Sequence, residues 1–195
     1  MEKKLPSKLD EIVETFAVQQ PMRLMFQDEA RFGRISDTRY CWAKKPTRPM
    51  VQAMVTQQYT YAYGAISPVD GRFDSLVLPQ VNGECMQMFI DEMASRYPKE
   101  NIVMVLDGAG WHKTAFTLAA NLRLHFLPPY SPELNPQEHI WDELREKWFH
   151  NRVFDSLDKL EDQLVEGLLH LEQHPEIGQS IAGWEWIIKC VSNAN

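Results

Sequence analysis

Cysteine is scarce: only Cys41, Cys85 and Cys190 occur among 195 residues. An odd, widely separated set offers neither a disulfide framework nor a zinc-ligand spacing. The six histidines fall in no H-E-x-x-H or similar arrangement, so zinc chemistry is not expected. No stretch approaches the roughly 20 consecutive apolar residues that a membrane helix needs, and Met1-Glu2-Lys3-Lys4 is not followed by a signal-peptide core. A cytoplasmic protein is therefore expected. Internal repeats and low-complexity segments are absent. Net positive charge is lacking too: the formal balance is −7, which taken whole argues against a nucleic-acid partner.

The charge is polarised along the chain. From position 21 to 52, seven basic residues (Arg23, Arg31, Arg34, Arg39, Lys44, Lys45, Arg48) face three acids (Asp28, Glu29, Asp37). From 153 to the end, eight acids face only Lys159 and Lys189. A basic nucleic-acid-facing surface can coexist with an acidic tail, although a basic stretch is equally well an ordinary solvated loop. Hydrophobic residues at 44% and six tryptophans supply enough apolar surface for one substantial core.

Positions 7–20 carry Leu9, Ile12, Val13, Phe16 and Ala17 at helical spacing before Pro21, which predicts a short amphipathic helix. A strand is predicted at 22–28 and an irregular or hairpin insertion at 31–49. The β-rich run at 51–66, the turn Pro68-Val69-Asp70-Gly71 and the strand Phe73–Leu78 read as a hairpin. A helix opening at Asn82 or Gly83 and ending near Tyr97-Pro98 buries Met86, Phe89, Ile90 and Met93. There follow a strand at 102–107, a short helix near 112–120, a strand near 122–127 and a helix from Pro136 with the stripe Trp141, Leu144, Trp148. Further helices are predicted at about 156–172 and around Trp184 and Trp186. The order is β-β-β-α-β-α-β-α, an α/β mixed sheet flanked by helices with a helical C-terminal extension. The expected division is a short N-terminal helix or linker (1–20), a catalytic domain (21–152) and the extension packed on it (153–195).

Three acids stand at the ends of such elements. Asp28 closes Leu24-Met25-Phe26-Gln27, and Asp107 closes Ile102-Val103-Met104-Val105-Leu106. Glu138 lies 31 positions later in the first turn of a helix with a proline-rich entry, Leu127-Pro128-Pro129-Tyr130-Ser131-Pro132-Glu133-Leu134-Asn135-Pro136. Acids delivered to one sheet edge suit hard divalent cations, which take oxygen ligands. Glu138 also has a purely structural reading. With Asn135 as N-cap and Pro136 at the first helical position, it completes a capping box and needs no metal.

The blocks Phe26-Gln27-Asp28-Glu29-Ala30, Leu106-Asp107-Gly108-Ala109-Gly110-Trp111-His112 and Ser131-Pro132-Glu133-Leu134-Asn135-Pro136-Gln137-Glu138-His139-Ile140-Trp141 resemble, in order, the three signatures of DDE transposases. Within that superfamily they are most similar to the IS630 family, related to Tc1/mariner elements, and the likeness runs from about residue 20 to 165. Glu133 stands where the family more often has Asp, and Gly108 where it often has Asn. The resemblance implies a ribonuclease H-like fold. It implies a catalytic, metal-binding triad of Asp28, Asp107 and Glu138 holding two Mg²⁺ (or Mn²⁺), with Asp107 bridging. It further implies DNA cleavage at transposon ends, strand transfer into target DNA at TA dinucleotides, and a homodimer. Arg31, Arg34, Lys44, Lys45, His112 and Lys113 are the candidate DNA contacts; Glu29 and Asp142 are secondary acids. Only about 20 residues precede the first strand, so the family's helix-turn-helix DNA-binding region is expected to be absent from this chain. A stand-alone ribonuclease H-like nuclease and a non-catalytic DNA-binding or dimerisation remnant are the other readings.

Overall fold

The computed structural model describes residues 5–34, 40, 42–47, 50, 57–108, 115–129 and 131–193. Five strands, β1 (Met22–Gly33), β2 (Tyr59–Ile66), β3 (Phe73–Leu78), β4 (Asn101–Leu106) and β5 (Leu122–Phe126), form one sheet in the order β3-β2-β1-β4-β5. The first three strands run antiparallel, whereas β1–β4 and β4–β5 are parallel. This mixed sheet flanked by helices is ribonuclease H-like, as expected.

Burial explains the strand sequences. Every residue of β4 is buried, so it reads as an unbroken apolar run. In β1, residues alternate between faces: Leu24, Phe26, Ala30 and Phe32 belong to one core cluster and Met25 to the other. Helix α2 (Gly83–Arg96) covers the second face with Met86, Phe89, Ile90 and Met93. It starts where the sequence indicates, with the Asn82 side chain accepting from Cys85 N–H.

The first face carries the rest. Helices α1 (Leu5–Val13), α3 (Gln137–Leu144), α4 (Leu157–Gln173), α5 (Pro175–Ala182) and α6 (Glu185–Asn193) share one apolar cluster with β1. The hairpin turn between β2 and β3 docks backbone to backbone on α5. Gly71 has φ +71, and a Cβ there would lie 1.9 Å from Pro175 O.

Two expectations need correction. The first helix ends at Val13 rather than reaching 20. Residues 115–119, inside the helix expected near 112–120, are not helical, and Ala120 lies in a turn. Residues 109–114 lie outside the described set. A third difference is of extent: β1 continues to Gly33, five residues past its predicted end, because its antiparallel pairing with β2 runs out to Gly33↔Tyr59.

Candidate active site

Parallel pairing places the ends of β1 and β4 on the same side of the sheet. The last register pair is Phe26↔Val105, so Asp28 and Asp107 each stand two residues beyond it. Asp28 is half-buried and Asp107 exposed. Helix α3 brings Glu138, also half-buried, against this edge.

The entry to α3 is built stepwise. Pro132–Leu134 forms a 3₁₀ turn closed by Asn135 N–H donating to Pro132 O at 2.9 Å. Pro136, with φ −64, then sets the helix direction. Because Asn135 N–H is already engaged, it is not the target of a capping-box glutamate. The structural reading of Glu138 as a cap is therefore overturned. Asn135 does act as the N-cap: its backbone is extended and its Oδ1 accepts from Gln137 N–H at 3.1 Å, while Pro136 is the first residue in helical conformation.

Trp141, fully buried, locks the helix down. Its ring meets Phe32 and Phe73 edge-on, and its Nε1–H donates to Asp28 Oδ2 at 3.0 Å. Close approach requires Gly64, the register partner of Asp28. A Cβ at that position would lie 2.6 Å from Trp141 Cη2, 2.8 Å from Phe73 Cε2 and 2.9 Å from Gln137 Nε2.

The electrostatics are those of crowded acids. Burial, then the charges of Glu138, Glu29 and Asp107, push the Asp28 carboxyl up to about 8. Burial also raises Glu138; Arg145 opposes this, while Asp142 and Asp107 add to it. The three predicted acids thus lie within each other's fields. Among the described residues, however, no three acid, histidine or cysteine side chains converge closely enough to make a ready-formed metal cage.

The other predicted residues are dispersed. Glu29 is turned toward Gln27, whose Nε2 donates to its Oε1 at 3.2 Å. Asp142 is exposed and 4.0 Å from Arg145. Arg31 is exposed, with its guanidinium 4.6 Å from the centre of the Tyr59 ring, and Lys44 and Lys45 are exposed. Arg34 departs from the expected solvent-facing role. It is 8% exposed, and its guanidinium donates to Phe154 O, Asp155 O and Gln58 Oε1, tying the end of β1 to the entry of α4. His112 and Lys113 lie outside the described residues.

Sequence reasoning missed the Trp141–Asp28 bond. The only signal was Trp141 three positions after Glu138, read as packing alone.

This arrangement agrees with what the chain is similar to. Residues 23–161 match the family model described as DDE superfamily endonuclease. The chain belongs to that superfamily. A protein of Sinorhizobium fredii (strain NBRC 101917 / NGR234), the uncharacterized y4pE/y4sA, is 36% identical over 130 residues, covering 66% of this chain and 96% of that protein. Among solved structures, the Mos1 strand transfer complex aligns over 99% of this chain and 60% of its own, at 16% identity and a TM-score of 0.60. The pre-cleavage Mos1 transpososome gives 99%, 61%, 15% and 0.62. The mariner Mos1 paired end complex with Mg gives 100%, 61%, 14% and 0.62. At these identities the likeness concerns the fold, and this DDE endonuclease chain spans about three fifths of the Mos1 chains it matches. Among its described residues, no helix is long and apolar enough to cross a membrane.

Proposed function

We propose that this chain is the catalytic domain of an IS630-type transposase, which cuts DNA at the ends of a mobile element and joins the freed 3′-hydroxyl to target DNA. The observation that carries this reading is the placing of Asp28 and Asp107 just past the last pair of the parallel β1–β4 ladder, with Glu138 on a helix pinned to Asp28 through Trp141. Support also comes from the Mos1 structures, whose names speak of strand transfer, transposon ends, Mg and Mn. The reading carries with it a homodimer that joins two ends and work on DNA in the cytosol.

Asp28, Asp107 and Glu138 would hold the divalent ions. The residues fit such ions chemically: the donors are all carboxylate oxygens, and the raised acids Asp28 and Glu138 are in want of a counter-charge. When bound, a pair of Mg²⁺ ions supplies an activated attacking oxygen and stabilises the leaving one. The protein's own part is to hold the acids. Trp141 orients the Asp28 carboxyl, Gly64 lets α3 lie close enough to present Glu138, and Asp28 would give up its proton to water on holding an ion. Exposed Arg31, Lys44 and Lys45, with His112 and Lys113, would meet backbone phosphates, which give affinity without reading sequence.

The test is Mn²⁺-dependent nicking of supercoiled plasmid, together with joining of a 3′-hydroxyl oligonucleotide, by the wild type and Asp107→Asn. Wild-type nicking and joining, both abolished in D107N, is the expected result. Nicking without joining would favour a stand-alone nuclease. DNA binding that is equal in both proteins, with no cleavage by either, would favour a non-catalytic remnant.

A further inference from the structure

We infer that Asn135 is a positioning residue that fixes Glu138 relative to Asp28, an inference resting on the reading of those acids as one metal-dependent site. Asn135 is 3% exposed, and all four of its hydrogen-bonding groups are engaged. Its Nδ2 donates to Gln27 O at 3.0 Å, and its Oδ1 accepts from Gln137 N–H at 3.1 Å. Its backbone N–H donates to Pro132 O, and its own O accepts from Glu138 N–H at 3.2 Å. Gln27 immediately precedes Asp28, and Gln137 immediately precedes Glu138. One planar carboxamide therefore joins the peptides flanking both acids, across 108 residues of sequence.

The site of this tie is where the sheet stops supplying one. The β1–β4 register ends at Phe26↔Val105, and the next carbonyl along β1, Gln27 O, accepts from the Asn135 side chain. Gln137 offers no alternative, since its buried carboxamide makes no hydrogen bond among the described residues.

Helix initiation alone does not account for the residue type. Ser, Thr or Asp would accept from a first-turn N–H equally well. None of these three offers, on separate atoms at one branch point, the acceptor and the N–H donor that a carboxamide presents. Metal–ligand distances fall within about 0.2 Å of their standard values, so a tether between the two acid-bearing segments bears directly on whether both acids reach one ion.

The experiment compares the wild type, Asn135→Ser, Asn135→Ala and a control, Asn101→Ala. Asn101 is equally buried, at 2% exposed, and its Nδ2 also donates to a backbone carbonyl, Val18 O at 2.9 Å, away from the acids. The readouts are Mn²⁺ binding to the protein without DNA, followed by the spin-resonance signal of free Mn²⁺, then thermal unfolding, and kcat and KM for Mn²⁺-dependent plasmid nicking. N135S keeps an acceptor for Gln137 N–H, but its single Oγ stands one bond short of the Nδ2 position and cannot serve Gln137 N–H and Gln27 O from two separate atoms. It should stay folded, bind Mn²⁺ about 10- to 100-fold more weakly and lose kcat with KM for plasmid unchanged. N101A should lower the unfolding temperature while leaving Mn²⁺ affinity and kcat as in the wild type. If N135A does not fold, N135S decides. Wild-type Mn²⁺ affinity and kcat in N135S overturn the inference while leaving the metal-site reading intact. A wild type that neither binds Mn²⁺ nor nicks DNA overturns both.

Discussion

Trp141 donates its indole N–H to the Asp28 carboxylate at 3.0 Å, joining a helix to a strand 113 residues earlier in the chain. The same ring is fully buried against Phe32 and Phe73. One side chain thus serves both packing and acid orientation, and the two roles are separable. Trp141→Phe keeps most of the apolar contact and removes the donor. In the metal-free protein Asp28 holds its proton at neutral pH, so loss of this hydrogen bond should cost about 0.5–1.5 kcal/mol, together with a smaller packing loss. Mn²⁺ affinity should fall as Asp28 loses its fixed orientation. Thermal unfolding with and without Mn²⁺ measures both; an unchanged Mn²⁺-induced shift would assign Trp141 to packing alone.

Acidity supplies a second expectation. Burial and neighbouring acids raise Asp28 to about 8 in the folded, metal-free protein, from 3.8 as its ordinary value. Between these values the native state holds a proton that the unfolded chain has released. The stability Asp28 contributes is thus complete below about 3.8 and is lost as pH rises toward about 8. Asp28→Asn removes that dependence. In EDTA, the unfolding temperature of D28N relative to the wild type should climb steadily from pH 4 to 8. A difference that stays flat across this range contradicts the raised value.

Space beside the acids is set by Gly64. Its missing Cβ is what admits Trp141, Phe73 and the Gln137 amide. Gly64→Ala should destabilise the protein by about 1–3 kcal/mol through overpacking and push α3 off the sheet. Metal-dependent nicking should fall further than the stability loss explains at temperatures where the variant remains folded. Activity equal to the wild type would show that Glu138 does not depend on this seating.

Gly178 poses a contest between two opposed effects. Alanine within a helix is favoured over glycine by about 1 kcal/mol. A Cβ at this point in α5, however, would lie 2.3 Å from Gly71 O and 2.9 Å from Ile66 Cδ1. Backbone cannot yield as a flexible side chain does, so the clash should win and Gly178→Ala should lower the unfolding temperature. An increase would mean that the hairpin turn and α5 part easily.

Much of the fold was legible because burial imposes simple patterns. The run Ile102–Leu106 announced a strand covered on both faces. Pro68–Gly71 announced the hairpin, and Asn82 the start of α2. Legibility failed where a partner distant in sequence decides the outcome. The extension of β1 to Gly33 follows from its β2 partner, and nothing local to 115–119 ruled out a helix. Arg34 read as a phosphate contact because its sequence neighbourhood is basic; its acceptors lie about 120 residues away, at Phe154 and Asp155.

The same division holds at the acids. Their identity and order, the place of Asp107 after β4 and that of Glu138 in a proline-led first turn were legible in the sequence alone, whereas Asp28, read as a strand end, lies inside β1. Which acids face one another was decided only by the tertiary structure. Parallel pairing of β1 with β4 brings Asp28 and Asp107 to one edge, and Asn135 and Trp141 seat α3 beside them. That Glu138 does not complete a capping box on Asn135 was decided by the folded chain too. The physical reason is competition for a donor. The Asn135 N–H that a capping glutamate needs is taken by Pro132 O, which depends on how the proline-rich turn closes in three dimensions.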